Sequence, residues 1–71
     1  MKRYVEFTGG SSAKFWEVGT KGRNLIVRFG RLGTAGQTQT KEFATPQQAE
    51  AQAAQQLAAK LRKGYVESVP R

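Results

Sequence analysis

One stretch of this chain, residues 46–63, carries a complete set of helix signals, and it leaves strands and turns as the roles for the residues before it. Thr45 precedes Pro46, and Gln48 stands three residues after Thr45. This is the Thr-x-x-Gln form of a capping box, with proline at the first helical position, where its missing N–H is no loss. The stretch contains no glycine and no β-branched residue. Ala49, Ala53, Leu57 and Leu61 recur every fourth position, with Ala54 and Ala58 beside them. Such a stripe of mainly small residues lets a helix sit close on a sheet. Lys60, Arg62 and Lys63 fall in the last turn, where the macrodipole favours cations, and Gly64 suits the position just past the end. The dipole explains these three charges without a ligand.

The residues before the helix read as strands and turns. Residues 2–7 carry Tyr, Val and Phe and read as a strand, 8–12 as a Gly/Ser loop, and 14–18 as a second strand. Turn chemistry at 19–23 leads into 24–31, where Leu25, Val27 and Phe29 alternate against Ile26 and Arg28, so a hairpin is expected. After a turn at 33–36, residues 37–43 form a polar strand that belongs at or near an edge. Residues 65–67 return as a short strand or anchor, and 68–71 are expected to fray. Strands followed by a helix predict the α+β class.

At 71 residues the chain reads as one domain, 1–71, and a chain of this size buries only about 60% of its unfolded surface. It has no cysteine, histidine or aspartate, which excludes a disulfide staple, a zinc site, Cys or His nucleophiles and an EF-hand loop. No metal or cofactor is expected. Twelve Lys and Arg against five Glu give a net charge of +7, pointing to a polyanionic partner. The basic start, Met1-Lys2-Arg3, runs into Tyr4-Val5-Glu6 without the apolar run of a signal peptide, and no window is long enough to span a bilayer. A cytoplasmic protein without a membrane partner is the expectation.

Residues 29–37 read Phe-Gly-Arg-Leu-Gly-Thr-Ala-Gly-Gln, and here a binding function is most legible. Glycines at 30, 33 and 36 permit positive φ and close backbone approach. Phe29 and Arg31 are two apart, so on an extended chain they share a face. A ring beside a guanidinium suits a sugar-phosphate partner better than a chemical reaction. Structural roles compete with this reading. Phe29 continues the apolar alternation and fits a core equally well, and Arg31 has Glu42 or Glu17 as possible ion-pair partners. Arg28 and Lys41, on neighbouring strands, form either a basic face or an ordinary solvated one. Trp16 is assigned to the core or to the sheet face under the helix. Gly9-Gly10-Ser11-Ser12-Ala13-Lys14 lacks the Gly-Lys-Ser/Thr ending of a phosphate loop and leads into a strand, so it is discounted.

The blocks Lys14-Phe15-Trp16-Glu17-Val18, then Val27-Arg28-Phe29-Gly30-Arg31-Leu32-Gly33-Thr34, then Gly36-Gln37, then a helix ending before Gly64-Tyr65, resemble the WGR domain, named for a Trp-Gly-Arg signature. The resemblance covers about residues 14–67. It implies a small antiparallel sheet of four to five strands packed by one C-terminal helix. In poly(ADP-ribose) polymerases such a domain helps to recognise DNA ends and breaks; bacterial relatives occur alone or within larger proteins. By this resemblance the signature falls on Phe29, Gly30 and Arg31, with Phe replacing Trp, and the family's Asn-Lys pair becomes Ala13-Lys14. Phenylalanine keeps a flat face for a ribose or base but loses the indole donor. No ADP-ribosyltransferase domain fits in this length, so the implied role is recognition without catalysis.

Together these readings predict a non-catalytic module for DNA ends, nicks or backbone, with RNA as a further partner and Lys14, Arg28, Phe29, Gly30, Arg31, Gln37 and Lys41 as contacts. Three or four phosphate contacts correspond to a log-log salt slope near −3, at about −0.9 per contact. The alternative is a protein-interaction module that docks on a separately encoded partner through the 30–36 loop. Edge strands make a monomer or a weak dimer the expected state.

Overall fold

A computed structural model describes residues 2–69. In chain order they form β1 (Lys2–Gly9), β2 (Ser12–Lys21), β3 (Asn24–Arg31), β4 (Gln37–Glu42), α1 (Pro46–Arg62) and β5 (Val66–Glu67). The strands make one antiparallel sheet in the order β4-β3-β2-β1-β5. The fold is the expected small α+β type. No helix among the described residues is long and apolar enough to cross a membrane.

The first two hairpins are longer than the sequence pattern suggests. Gly9 pairs with Ser12 and Lys21 with Asn24, so each connection shrinks to two residues. Gly10 and Gly22 supply the positive φ, 56° and 59°, that such tight turns need. Gly9 and Gly19, read as loop signals, are strand residues.

Period-two alternation sorts the strand side chains onto two faces. One face carries Val5, Trp16, Val18 and Leu25, which pack with Ala53 and Leu57 of α1, while Val27 and Phe29 are half-buried against them. Ala49 and Ala53 are fully buried, as a stripe of small residues pressed on a sheet should be. Leu61, the fourth residue of the expected stripe, is 41% exposed, and its flank includes half-buried Gln52, Gln56 and Lys60. The helix thus presents a polar edge beside its buried line.

Both helix ends are closed. Thr45 Oγ1 accepts from the Gln48 N–H at 3.1 Å, while Gln48 Oε1 accepts from the Ala44 N–H at 3.2 Å, one residue earlier than in a standard capping box. At the other end Gly64, at φ 103°, sends its N–H to Leu61 O, and Tyr65 N–H reaches Lys60 O. This Schellman arrangement turns the chain back onto β1. Tyr65 packs on Phe7 with ring centroids 5.4 Å apart, and Ser68 N–H still reaches Tyr4 O at 3.1 Å. Fraying therefore does not begin at Ser68; Pro70 and Arg71 lie outside the described residues.

The other face of the sheet is also buried in part, without the helix. Tyr4, Glu17 and Arg28 stand side by side across β1, β2 and β3. Tyr4 stacks on Phe15 at 5.8 Å, and the Arg28 guanidinium lies 4.5 Å from the Phe15 ring while Nε donates to Glu17 at 3.2 Å. The chain after β3 folds back onto this cluster, where Arg28 Nη1 donates to Ala35 O at 2.9 Å and Gly36 rests on Phe15.

Candidate nucleic-acid interface

Alternation along β3 sets Leu25, Val27, Phe29 and Arg31 on the helix side of the sheet. Their cross-strand partners continue that face: Trp16 opposite Phe29, Lys14 opposite Arg31, then Gln37, Gln39 and Lys41 on β4. The helix packs on β1, β2 and β3. Beside it runs a groove of about 1060 Å³. Trp16, Leu25, Val27 and Phe29 form its apolar lining, with Gln39 and Lys41 from β4, Gln56, Ala59 and Lys60 from the helix, and Lys14, Arg31 and Tyr65 also contributing.

Charge is unevenly divided around this groove. Glu17 is held by Arg28 and Lys2, Glu42 by Arg23, and Glu67 by Arg3 through two hydrogen bonds. No carboxylate lines the groove. Lys14, Arg31, Lys41 and Lys60 line it and form no ion pair among the described residues. The ammonium groups rest over rings instead: Lys60 is 5.7 Å from Trp16 and 5.3 Å from Tyr65, and Lys14 is 5.9 Å from the same tyrosine. Partial burial, followed by repulsion from Lys63 and Lys14, pushes the Lys60 pKa below the ordinary lysine range. An anion between these cations relieves the repulsion.

Lys14, Phe29, Gly30, Arg31 and Lys41 are thus brought together on one groove, and Gln37 joins their face opposite Phe29. Arg28 is not part of it. One position out of phase with Phe29, it points to the opposite face, bound to Glu17 and Ala35, so Arg28 and Lys41 form no common basic face. Arg31 pairs with neither Glu42 nor Glu17. Phe29 is both things at once, half-buried against the core and lining the groove. At Gly30 a Cβ would lie 2.8 Å from Gly36 Cα, so the loop needs glycine there in order to lie back on its own strand.

Gln56 and Gln39, not singled out from the sequence, complete the groove with Lys60, which the sequence assigned to the helix dipole alone, and Tyr65, read there only as part of a short strand or anchor. Gln56 and Lys60 are four apart beside the Ala53 and Leu57 line, and that spacing was the available signal.

The WGR domain model matches residues 1–71. Protein YfeS of Escherichia coli is 39% identical over 67 residues, covering 94% of this chain and 28% of its own, and YehF of the same organism is 35% identical over 65 residues, covering 92% and 24%. The chain therefore spans about a quarter of the length of these relatives. A crystal structure of a Bacteroides fragilis protein superposes with a TM-score of 0.94 at 45% identity, over 97% of this chain and 20% of that one. With the whole chain matched and the fold reproduced, it belongs to the WGR domain family, a non-catalytic module that in poly(ADP-ribose) polymerases is of nucleic-acid-binding type.

Proposed function

We propose that this module binds nucleic acid through the groove face, without sequence specificity, and favours DNA ends, nicks or exposed backbone over intact duplex. The observation that carries this reading is the segregation of charge. Lys14, Arg31, Lys41 and Lys60 surround an aromatic and aliphatic floor, while the ion-paired glutamates lie elsewhere. Arg31 and Lys14, neighbours across β2 and β3, fix phosphates, and the accessible part of Phe29 packs on a terminal sugar. Base reading in a major groove has no support, because α1 is uncharged over 51–59 and its apolar line is buried.

The test is fluorescence anisotropy with nicked, blunt-ended, single-stranded and sealed circular DNA of equal length, over a series of salt concentrations. Preference for nicked or ended DNA that survives higher salt, and its loss in Arg31→Glu without a change in thermal stability, is the expected result. Equal binding to every form that vanishes at moderate salt would trace the effect to net charge alone. Docking on a protein partner through the 30–36 loop would then become the better reading.

A further inference from the structure

We propose that the groove beside α1 takes unpaired nucleobases, so that the occupant of this site is a short single-stranded tract adjoining a duplex end or gap. The inference rests on the nucleic-acid reading and names what that reading leaves open. The floor is made of the half-buried Val27 and Phe29, with buried Trp16 beneath them, and its accessible apolar surface accepts the flat face of any base. Two amides border it, Gln39 from β4 and Gln56 from the helix, and neither has a hydrogen-bond partner among the described residues. A glutamine amide both donates and accepts, which suits the mixed edge of a nucleobase. Cations on the lining supply the charge complement to the phosphates that connect such bases.

The shape of the site excludes a base that stays in the stack. A paired base has its edge taken by its partner and its faces by its neighbours, so it reaches a floor beside a packed helix only after leaving the duplex. The volume, about 1060 Å³, lies at the upper end of the roughly 300–1,000 Å³ that encloses one drug-sized ligand, so the groove has room for at least one nucleotide. Mixed amides without a rigid array of donors give tolerance of sequence, in keeping with an aromatic platform.

The experiment compares a sealed circle with three linear duplexes by anisotropy at one salt concentration: blunt, carrying a three-nucleotide overhang, and carrying the same overhang with its bases removed. The expected result is affinity for the overhang tighter than for the blunt end by about fivefold or more, with the abasic overhang falling back to the blunt value. Trp16, the one tryptophan of the chain, lines the groove, so its emission should change with the overhang and not with the abasic form. Gln39→Trp fills the groove from the exposed edge strand without altering charge, and should bring the ratio of overhang to blunt-end affinity toward one. Equal affinity for the natural and abasic overhangs, with Trp16 emission unmoved, overturns the proposal and leaves the nucleic-acid reading standing. Binding to none of the three above a sealed circle overturns both.

Discussion

At Gly36 the backbone φ is 73°, and a methyl there would meet the Phe29 carbonyl and lie 2.7 Å from Phe15 Cζ. Gly36→Ala is therefore expected to cost about 2–4 kcal/mol in urea denaturation, combining a left-handed backbone with an overpacked contact. Arg28 and Arg31 separate the two faces. Arg28→Ala strips Glu17 of its nearer cation and releases Ala35, so a loss of about 1–2 kcal/mol is expected, with DNA affinity changed far less than in Arg31→Glu. A variant set in which Arg28→Ala weakens DNA binding as much as Arg31→Glu does would refute this assignment. Much of the site was legible at this scale, because the two-residue step from Phe29 to Arg31 fixes a shared face on any strand. Arg28 broke the same rule by one position. Lys60 was not legible, since its direction depends on how the helix is rotated on the sheet, which no local pattern states.

Among the elements, α1 was the easiest to read because its caps and its apolar spacing agree. Thr45→Ala removes the Oγ1 that accepts from Gln48 N–H, and about 1 kcal/mol of stability should go with it, measurable as a lower urea midpoint at unchanged slope. The strand limits were harder. Glycine marks a turn only where positive φ is used, as at Gly10 and Gly22, whereas Gly9 and Gly19 simply continue the ladder. β5 is two residues long and lies beside β1, its residues 60 and 62 positions from their partners in sequence; its place is set by the turn at Gly64 and by Tyr65 packing on Phe7. The cluster of Tyr4, Phe15, Glu17 and Arg28 escaped the sequence for the same reason. It exists only once three strands are in register and the loop after β3 has folded back.

For the molecule as a whole, net charge of +7 is less informative than where the charge is left uncompensated. Lys60, beside Lys14, Lys63 and the rings of Trp16 and Tyr65, has its pKa lowered chiefly by burial. A lysine whose folded pKa lies below its unfolded value penalises the fold while charged, and that penalty lifts as pH rises through the folded pKa toward the ordinary lysine range. Binding of an anion runs the other way, because it needs the proton. In this alkaline window the free protein should gain stability from Lys60 while DNA affinity falls, and Lys60→Arg should shift both effects out of the window. Thermal denaturation and anisotropy across that range check the two signs. Finally, β1 enters the sheet at Lys2 and the chain runs back alongside it through Val66, Glu67 and Ser68, so both strands of this edge have their outer ends at the same pole. The loop after β3 and the turn at Gly10 lie at the opposite pole. Such a layout behaves like a plug-in cartridge: Lys2 and Ser68 reach the same side, leaving the far pole open, which suits a unit whose matched relatives are about four times its length.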